Sequence, residues 1–257
     1  LPNEDEDISK IVQNNFIKRG IDIKTNTSLK SVKIDNNSVS SEISTDGINS
    51  LIKSEKLILA VGIIANTQNI GLEKFNIKID KGHIVTNEYL ETDEKGIYAI
   101  GDVTGGPWLA HKASHEAILC VEKIAGLSNL TPLDKSSIPG CTYCRPQVAS
   151  IGLTEKAAKI KNINIKVGKF PFIGNGKAIA LGDSEGLIKT IFNNDTGELV
   201  GAHMVGPEVT ELIQGFSIAK KLETTEHELM HTIFPHPTLS EGMHESVLDA
   251  YNQAIHY

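Results

Sequence analysis

Between Asp7 and Arg19 the apolar residues Ile8, Ile11, Val12 and Phe16 recur at helical spacing, and Gly20 supplies a left-handed stop. Ile21 to Lys24 reads as a short strand, so the chain begins with the helix-to-strand step of an α/β unit. Polar and apolar positions then alternate over Leu29 to Ile34, Val39 to Ile43 and Leu51 to Lys53, broken by turn formers at Asp35-Asn36-Asn37 and Thr45-Asp46-Gly47. That pattern predicts an antiparallel meander. Lys56 to Val61 is almost continuously apolar, as a strand buried on both faces should be, and Gly62 ends it. A glycine there serves either a tight turn or the close approach of a ligand to the backbone. Asn69 to Thr92 reads as a connecting segment, and Gly96 to Asp102 as a strand ending in Gly101-Asp102. The helix that follows would carry Ala110, Ala113, Ala117, Val121 and Ile124 on one face.

After a turn-rich loop from Thr131 to Gly140 the pattern changes to that of an α+β domain. Strands are predicted at Val148 to Gly152, Ile165 to Phe170, Leu187 to Phe192 and Leu199 to Val205, with helices at Thr154 to Lys161 and Val209 to Leu222. Asn193-Asn194-Asp195-Thr196-Gly197 suits the hairpin turn between the last two strands. The expected architecture is an α/β part followed by an α+β part.

With 257 residues the chain is long enough for two cores or one large one. A hydrophobic content of 40% against 22% charged residues is that of a soluble globular protein. No apolar run reaches membrane-spanning length, and the opening Leu1 to Asp7 is acidic where a signal peptide is basic, so a cytoplasmic location is expected. A net charge of −7 disfavours nucleic acid and anionic membrane surfaces as partners. Three cysteines make no disulfide framework. The first residue is Leu rather than Met, which suggests a piece of something longer.

Candidate chemistry concentrates near the end, in His231-Thr232-Ile233-Phe234-Pro235-His236-Pro237-Thr238-Leu239-Ser240-Glu241. Flanking prolines hold His236 on a stiff, non-helical stalk. Glu241 is near enough to fold back onto the ring, fix its tautomer and favour its protonated form. The rival reading is a capped helix with Thr238 as N-cap and Glu241 as the return arm of a capping box; spacing alone leaves both open. Gly101-Asp102 is either a surface turn or an exposed carboxylate for sugar hydroxyls beyond a strand end. Cys141 to Cys144 form a CxxC, but on an extended segment residues three apart point to opposite faces, which disfavours a disulfide. His231, His236 and His244 are not expected to hold a metal, because prolines interrupt them and Glu241 suits a base-orienting role. His227 and His256 read as solvated.

Two strings give these residues a common setting. His236-Pro237-Thr238-Leu239-Ser240-Glu241 resembles the carboxy-terminal signature of the flavin-dependent pyridine nucleotide disulfide reductases. Ile97 to Asp102, continued by Val103 to Ala113, resembles that family's second flavin-binding motif. The resemblance implies that His236 is the acid-base catalyst, that Glu241 holds it, and that the His236-Pro237 bond is cis. It implies that the histidine serves the flavin and redox disulfide of the other subunit, making a homodimer obligatory. The implied cofactors are FAD and NAD. Asp102 would hold the ribityl chain, Trp108, Leu109, Ala110 and His111 would lie at the flavin, and Gly62 would lie beside the nicotinamide dinucleotide. Where the family usually continues that glycine with Arg-x-Pro-Asn, this chain has Ile63-Ile64-Ala65-Asn66. Leu109-Ala110-His111-Lys112-Ala113 is more similar to the dihydrolipoamide-oxidising branch than to the glutathione-reducing one. The partner implied is dihydrolipoamide on the acyltransferase component of 2-oxoacid dehydrogenase complexes.

On this resemblance 1–66 would be the end of an NAD-binding domain, 67–130 a returning FAD-binding segment, and 131–257 an interface domain for dimerisation. The fold expected is an α/β remnant of the nucleotide-binding domains followed by an α+β interface domain. No GxGxxG loop is present, although Gly174-Asn175-Gly176 superficially resembles part of one, and no Cys-x4-Cys pair occurs. A carboxy-terminal portion, inactive by itself, is therefore expected. Another flavin disulfide reductase of glutathione or mercury type, and a non-catalytic dimerisation or partner-binding module, are the alternatives.

Overall fold

The computed structural model describes all residues from Leu1 to Tyr257. The chain forms two compact units, one of Gln13–Ile64 and one of Leu1–Val12 with Ala65–Tyr257. Helix α1 (Glu6–Lys18) begins where expected, with Glu6 and Asp7 in its first turn and Lys18 in its last, each complementing the helix dipole.

In the smaller unit the meander forms as β1 (Thr27–Asp35), β2 (Ser38–Thr45) and β3 (Ile48–Ser54), antiparallel and in that order. Asp46 and Gly47, with φ of 48° and 85°, supply the left-handed pair that a two-residue hairpin requires. The strands expected at Ile21 to Lys24 and Lys56 to Val61 do not form. Ile58 and Val61 are 86% and 92% exposed. A strand buried on both faces needs hydrogen-bonding neighbours and a cover on each side, and none of the chain's sheets includes this run.

From Ala65 onward the larger unit holds a small ladder of β4 (Ile79–Asp80) and β5 (His83–Ile84), followed by α2 (Ala110–Ile124). Between them, the expected strand Gly96 to Asp102 is replaced. Tyr98 makes one isolated bridge to Glu91, and Gly101–Thr104 curl into a 3-10 turn.

The remaining strands are β6 (Gly140–Thr142), β7 (Gln147–Gly152), β8 (Ile165–Pro171), β9 (Leu187–Asn193) and β10 (Leu199–Gly206). They make one antiparallel sheet of order β6-β7-β10-β9-β8. The helices are α3 (Glu155–Ile160), α4 (Gly176–Leu181), α5 (Val209–Lys221), α6 (Glu226–His231) and α7 (Glu241–Asp249). Every residue of the central strand β10 is buried.

Alternation across the sheet puts Ala149, Ile151, Ile188, Phe192, Ala202 and Met204 into one core with Ile213, Phe216, Met243 and Val247 of α5 and α7. Gly168 lets α7 come down onto β8, since a side chain there would collide with the Ser246 carbonyl oxygen. Thr190 Oγ1 donates to that same carbonyl at 2.9 Å. The seating of α7 fixes where its first residue, Glu241, stands.

On the opposite face Lys189 of β9 is paired in register with His203 of β10. Lys189 is 1% exposed, and its ammonium donates to Asp5, Asp7 and Glu155, each at 2.7 Å. Burial alone would depress the lysine, but these carboxylates outweigh it and hold it above its ordinary value. Burial would likewise raise Asp7, yet Lys169 and Lys189 bring it down to about 2. Burial pushes His203 down, consistent with a neutral ring bonded to the Leu153 carbonyl at 2.9 Å.

Candidate functional site

The segment from Thr232 to Ser240 is not helical, as two prolines around His236 dictate, and it is tied down at several points. Thr238 Oγ1 donates to the Pro235 carbonyl at 2.7 Å, and Asn175 Nδ2 donates to the Thr238 carbonyl at 3.1 Å. Leu239 is buried in the core, and the His244 ring stacks on Phe234 while its Nε2 meets the Met230 carbonyl at 2.8 Å. The His236-Pro237 peptide is cis.

His236 Nδ1 lies 2.8 Å from Glu241 Oε1, and Glu241 Oε2 accepts the Thr238 N–H at 2.8 Å. One carboxylate therefore does both of the things that the sequence left as rivals: it holds the ring and reaches back to the Thr238 amide. The other half of a capping box is missing, because the Thr238 hydroxyl is turned to Pro235 and Ser240, and the N-cap is Ser240. Burial would raise the Glu241 carboxyl, but the Thr238 N–H and the His236 ring outweigh it and hold it below the usual range. An ionised carboxylate only accepts, so His236 Nδ1 carries a proton. In the neutral ring Nε2 is then the atom able to take and return one. The His236 side chain is 79% exposed.

A second constellation surrounds the start of α2. Gly101 adopts φ of 75°, which favours glycine, and an added Cβ would touch the Ala113 side chain. Asp102 follows it with its side chain exposed. Leu109 caps α2 without any side-chain bond to the helix amides, and Ala110 and His111 form the first turn. His111 Nε2 meets the Pro139 carbonyl at 2.9 Å, and Trp108 stacks on His83 with centroids 6.1 Å apart.

Beneath this turn lies an ion pair that the sequence reading missed. Lys112 and Glu116, both almost wholly buried, meet at 3.0 Å. Lys112 also donates to the Gly101 and Gly105 carbonyls at 3.2 and 3.0 Å, and Glu116 accepts the Gly101 N–H at 2.7 Å. The buried face of α2 is thus Lys112, Glu116, Leu119 and Cys120, not the alanine stripe expected, and Val121 and Ile124 are exposed. The two charges go inside because they neutralise each other and satisfy the turn. Of the alanines in that stripe, Ala113 and Ala117 are partly buried and Ala110 is exposed.

Residues 1–117 match the family described as Pyridine nucleotide-disulphide oxidoreductase, and residues 138–247 match the Pyridine nucleotide-disulphide oxidoreductase, dimerisation domain. The chain belongs to the pyridine nucleotide-disulphide oxidoreductases. It is 54% identical over 256 residues to the dihydrolipoyl dehydrogenase of Rhizobium etli, a match covering 99% of this chain and 53% of that protein. It is 43% identical over 259 residues to the dihydrolipoyl dehydrogenase of Bacillus subtilis, covering 100% of this chain and 54% of that protein. The chain therefore spans about half the length of the curated relatives it matches. Among solved structures, LpdA from Mycobacterium tuberculosis superposes with a TM-score of 0.87 at 24% identity, over 96% of this chain and 53% of that one. The HOCl-induced flavoprotein disulfide reductase RclA from Escherichia coli gives 0.84 at 23%, over 96% and 56%. These two likenesses concern the fold.

In this pyridine nucleotide-disulphide oxidoreductase the structure brings His236 to Glu241, and it gathers Asp102, Trp108, Leu109, Ala110 and His111 around the start of α2. Gly62 lies in the smaller unit, with φ of 130° and open space around it. Cys141 and Cys144 form no disulfide. Asn175 between Gly174 and Gly176 is the N-cap of α4, its side chain accepting the Ala178 N–H at 2.9 Å.

Two histidines read as solvated are indeed exposed, and each also has a neighbour. His256 Nδ1 is 2.8 Å from Glu245 Oε1, whose second oxygen accepts the Ile255 N–H at 2.9 Å, clamping the last residues to α7. No spacing rule joins residues eleven apart across a turn. His227 begins His227-Glu228-Leu229-Met230-His231, an HExxH string that the sequence reading wrongly took to be absent. The four-residue spacing was the signal that exposed it, and the two rings stand side by side on α6, with centroids 4.4 Å apart.

Proposed function

We propose that this chain is the carboxy-terminal portion of a dihydrolipoyl dehydrogenase. The whole enzyme would be a homodimer using FAD and NAD, and would oxidise dihydrolipoamide carried by the acyltransferase component of a 2-oxoacid dehydrogenase complex. In this reading 1–66 ends the NAD-binding domain, 67–130 returns to the FAD-binding domain and 131–257 forms the interface. The observation that carries it is the His236 ring held through Nδ1 by a carboxylate whose other oxygen is itself pinned.

A thiol with an ordinary pKa of about 8.5 is mostly protonated at neutral pH, whereas only the thiolate attacks a disulfide. His236 Nε2 takes the substrate's sulfhydryl proton, and Glu241 stabilises the charge that the ring then bears. The exposure of this ring supports the dimer, because a base works best where water is excluded and this chain leaves His236 open.

The residues around α2 fit the sugar-alcohol and pyrimidine side of a flavin. Asp102 offers acceptors to hydroxyls from a glycine turn braced by a buried ion pair. The uncapped amides after Leu109, with Ala110 and His111, favour negative charge at the helix start. When bound, the flavin supplies the two-electron acceptor between the thiols and the nicotinamide. Trp108 would flank it, and Gly62 would lie along the nicotinamide dinucleotide.

The test is His236→Gln in the complete enzyme. Dihydrolipoamide oxidation should slow by about two or more orders of magnitude, as on losing a positioned base. Near-normal turnover would overturn the assignment.

A further inference from the structure

The HExxH string places two imidazoles on one face of α6, which is helical from Glu226 to His231. Their ring planes are 31° from parallel, and both side chains are exposed. His231 Nδ1 lies 2.7 Å from the His227 carbonyl oxygen. A carbonyl only accepts, so this nitrogen carries the proton and His231 Nε2 keeps the lone pair. Metal-binding histidines ordinarily have their second nitrogen oriented in this way, by a carbonyl or a carboxylate. His227 Nδ1 is 3.7 Å from the Glu228 carboxylate, beyond hydrogen-bond length, so its ring is free to turn Nε2 toward an ion. Two nitrogens at about 2.0–2.1 Å from one ion stand roughly 3 Å apart, a gap that adjacent rings on one helical face can close by small rotations.

We propose that His227 and His231 chelate one divalent transition-metal ion through their Nε2 atoms, binding Cu(II) more tightly than Zn(II), with water completing the coordination. The order follows the affinities of imidazole sites for first-row ions, and tetragonal Cu(II) accepts two adjacent nitrogens. Hydrolytic chemistry is not part of the assignment. Glu228 is spent on the helix start, its Oε2 accepting the Thr225 N–H at 3.1 Å and the Thr225 hydroxyl at 2.5 Å. No third His, Cys, Asp or Glu joins the pair to close a three-ligand site.

The experiment is titration of the complete protein, in its oxidised state, with Cu(II) and separately with Zn(II), followed by electron paramagnetic resonance of the one-to-one copper complex. One Cu(II) should bind with two equatorial imidazole nitrogens. His227→Gln and His231→Gln should each weaken it at least about tenfold, since losing even an outer partner of a metal ligand costs that much. His236→Gln should leave this affinity unchanged. Because both ligands are exposed, the variants keep their fold, which circular dichroism checks. A His227→Gln/His231→Gln double variant that retains the two-imidazole spectrum would overturn the proposal. So would a wild-type complex with a single imidazole, or no copper binding at all.

Discussion

Replacing Glu241 by Gln keeps the shape of the side chain and removes one of its two acceptors. Two donors point at the present carboxylate, the Thr238 N–H and His236 Nδ1, each at 2.8 Å. A glutamine offers one carbonyl oxygen and one donating NH2, so it can serve only one of them. If the oxygen stays with Thr238, the NH2 faces Nδ1, the ring changes tautomer and Nε2 becomes the protonated nitrogen. If the oxygen serves the ring, the Thr238 N–H is orphaned at a cost of about 1–3 kcal/mol. In either case the charge that steadied the imidazolium is gone, and a hydrogen bond to a charged group is worth about 1.5–3 kcal/mol. With 1.36 kcal/mol per decade, that corresponds to roughly a 10- to 150-fold loss of rate. The side chains are 79% and 29% exposed here, so the lower end applies unless a second subunit covers the ring. The assay is kcat/KM for dihydrolipoamide in the complete enzyme, beside nitrogen-15 NMR of the His236 tautomer. A variant with wild-type kcat/KM and its lone pair still on Nε2 would refute the reasoning.

Lys189→Met should destabilise the fold by about 3–5 kcal/mol near neutral pH, because it leaves buried Asp5 without its cation beside Asp7 and Glu155, which keep Lys169 and Lys159. Asp7 is depressed from 3.8 to about 2, so its stabilising share is complete above pH 3.8 and is lost as pH falls through about 2. In the variant, acid relieves the carboxylates instead, and the deficit should narrow as pH falls from 7 to 3; denaturant melts showing a constant deficit would contradict this. Lys112→Met should leave Glu116 buried without its partner and speed amide exchange at Gly101 and Gly105, while exchange in β9 and β10 stays unchanged. Equal protection of the turn in both proteins would mean that the ion pair does not brace it.

Much of this protein was determined by local pattern. Strands β7 to β10, helices α1 and α5 and the hairpin ending at Gly197 follow from alternation, helical spacing and turn chemistry, each of which acts over a few residues. The His236–Glu241 pair was legible for the same reason, since its members are five residues apart and prolines leave few routes between them. Lys56 to Val61 has the composition of a buried strand, yet becomes one only where neighbours exist, and here it is exposed. Which face of α2 goes inside, and that Lys112 and Glu116 lie on it, was decided by the donors and acceptors of the Gly101–Gly105 turn that the fold brings against it. The capture of Asp5 by Lys189, 184 residues away, was likewise beyond any spacing rule. Local propensity reaches only a few residues along the chain. Burial and charge pairing depend on what the fold brings alongside, and only the tertiary structure decides that.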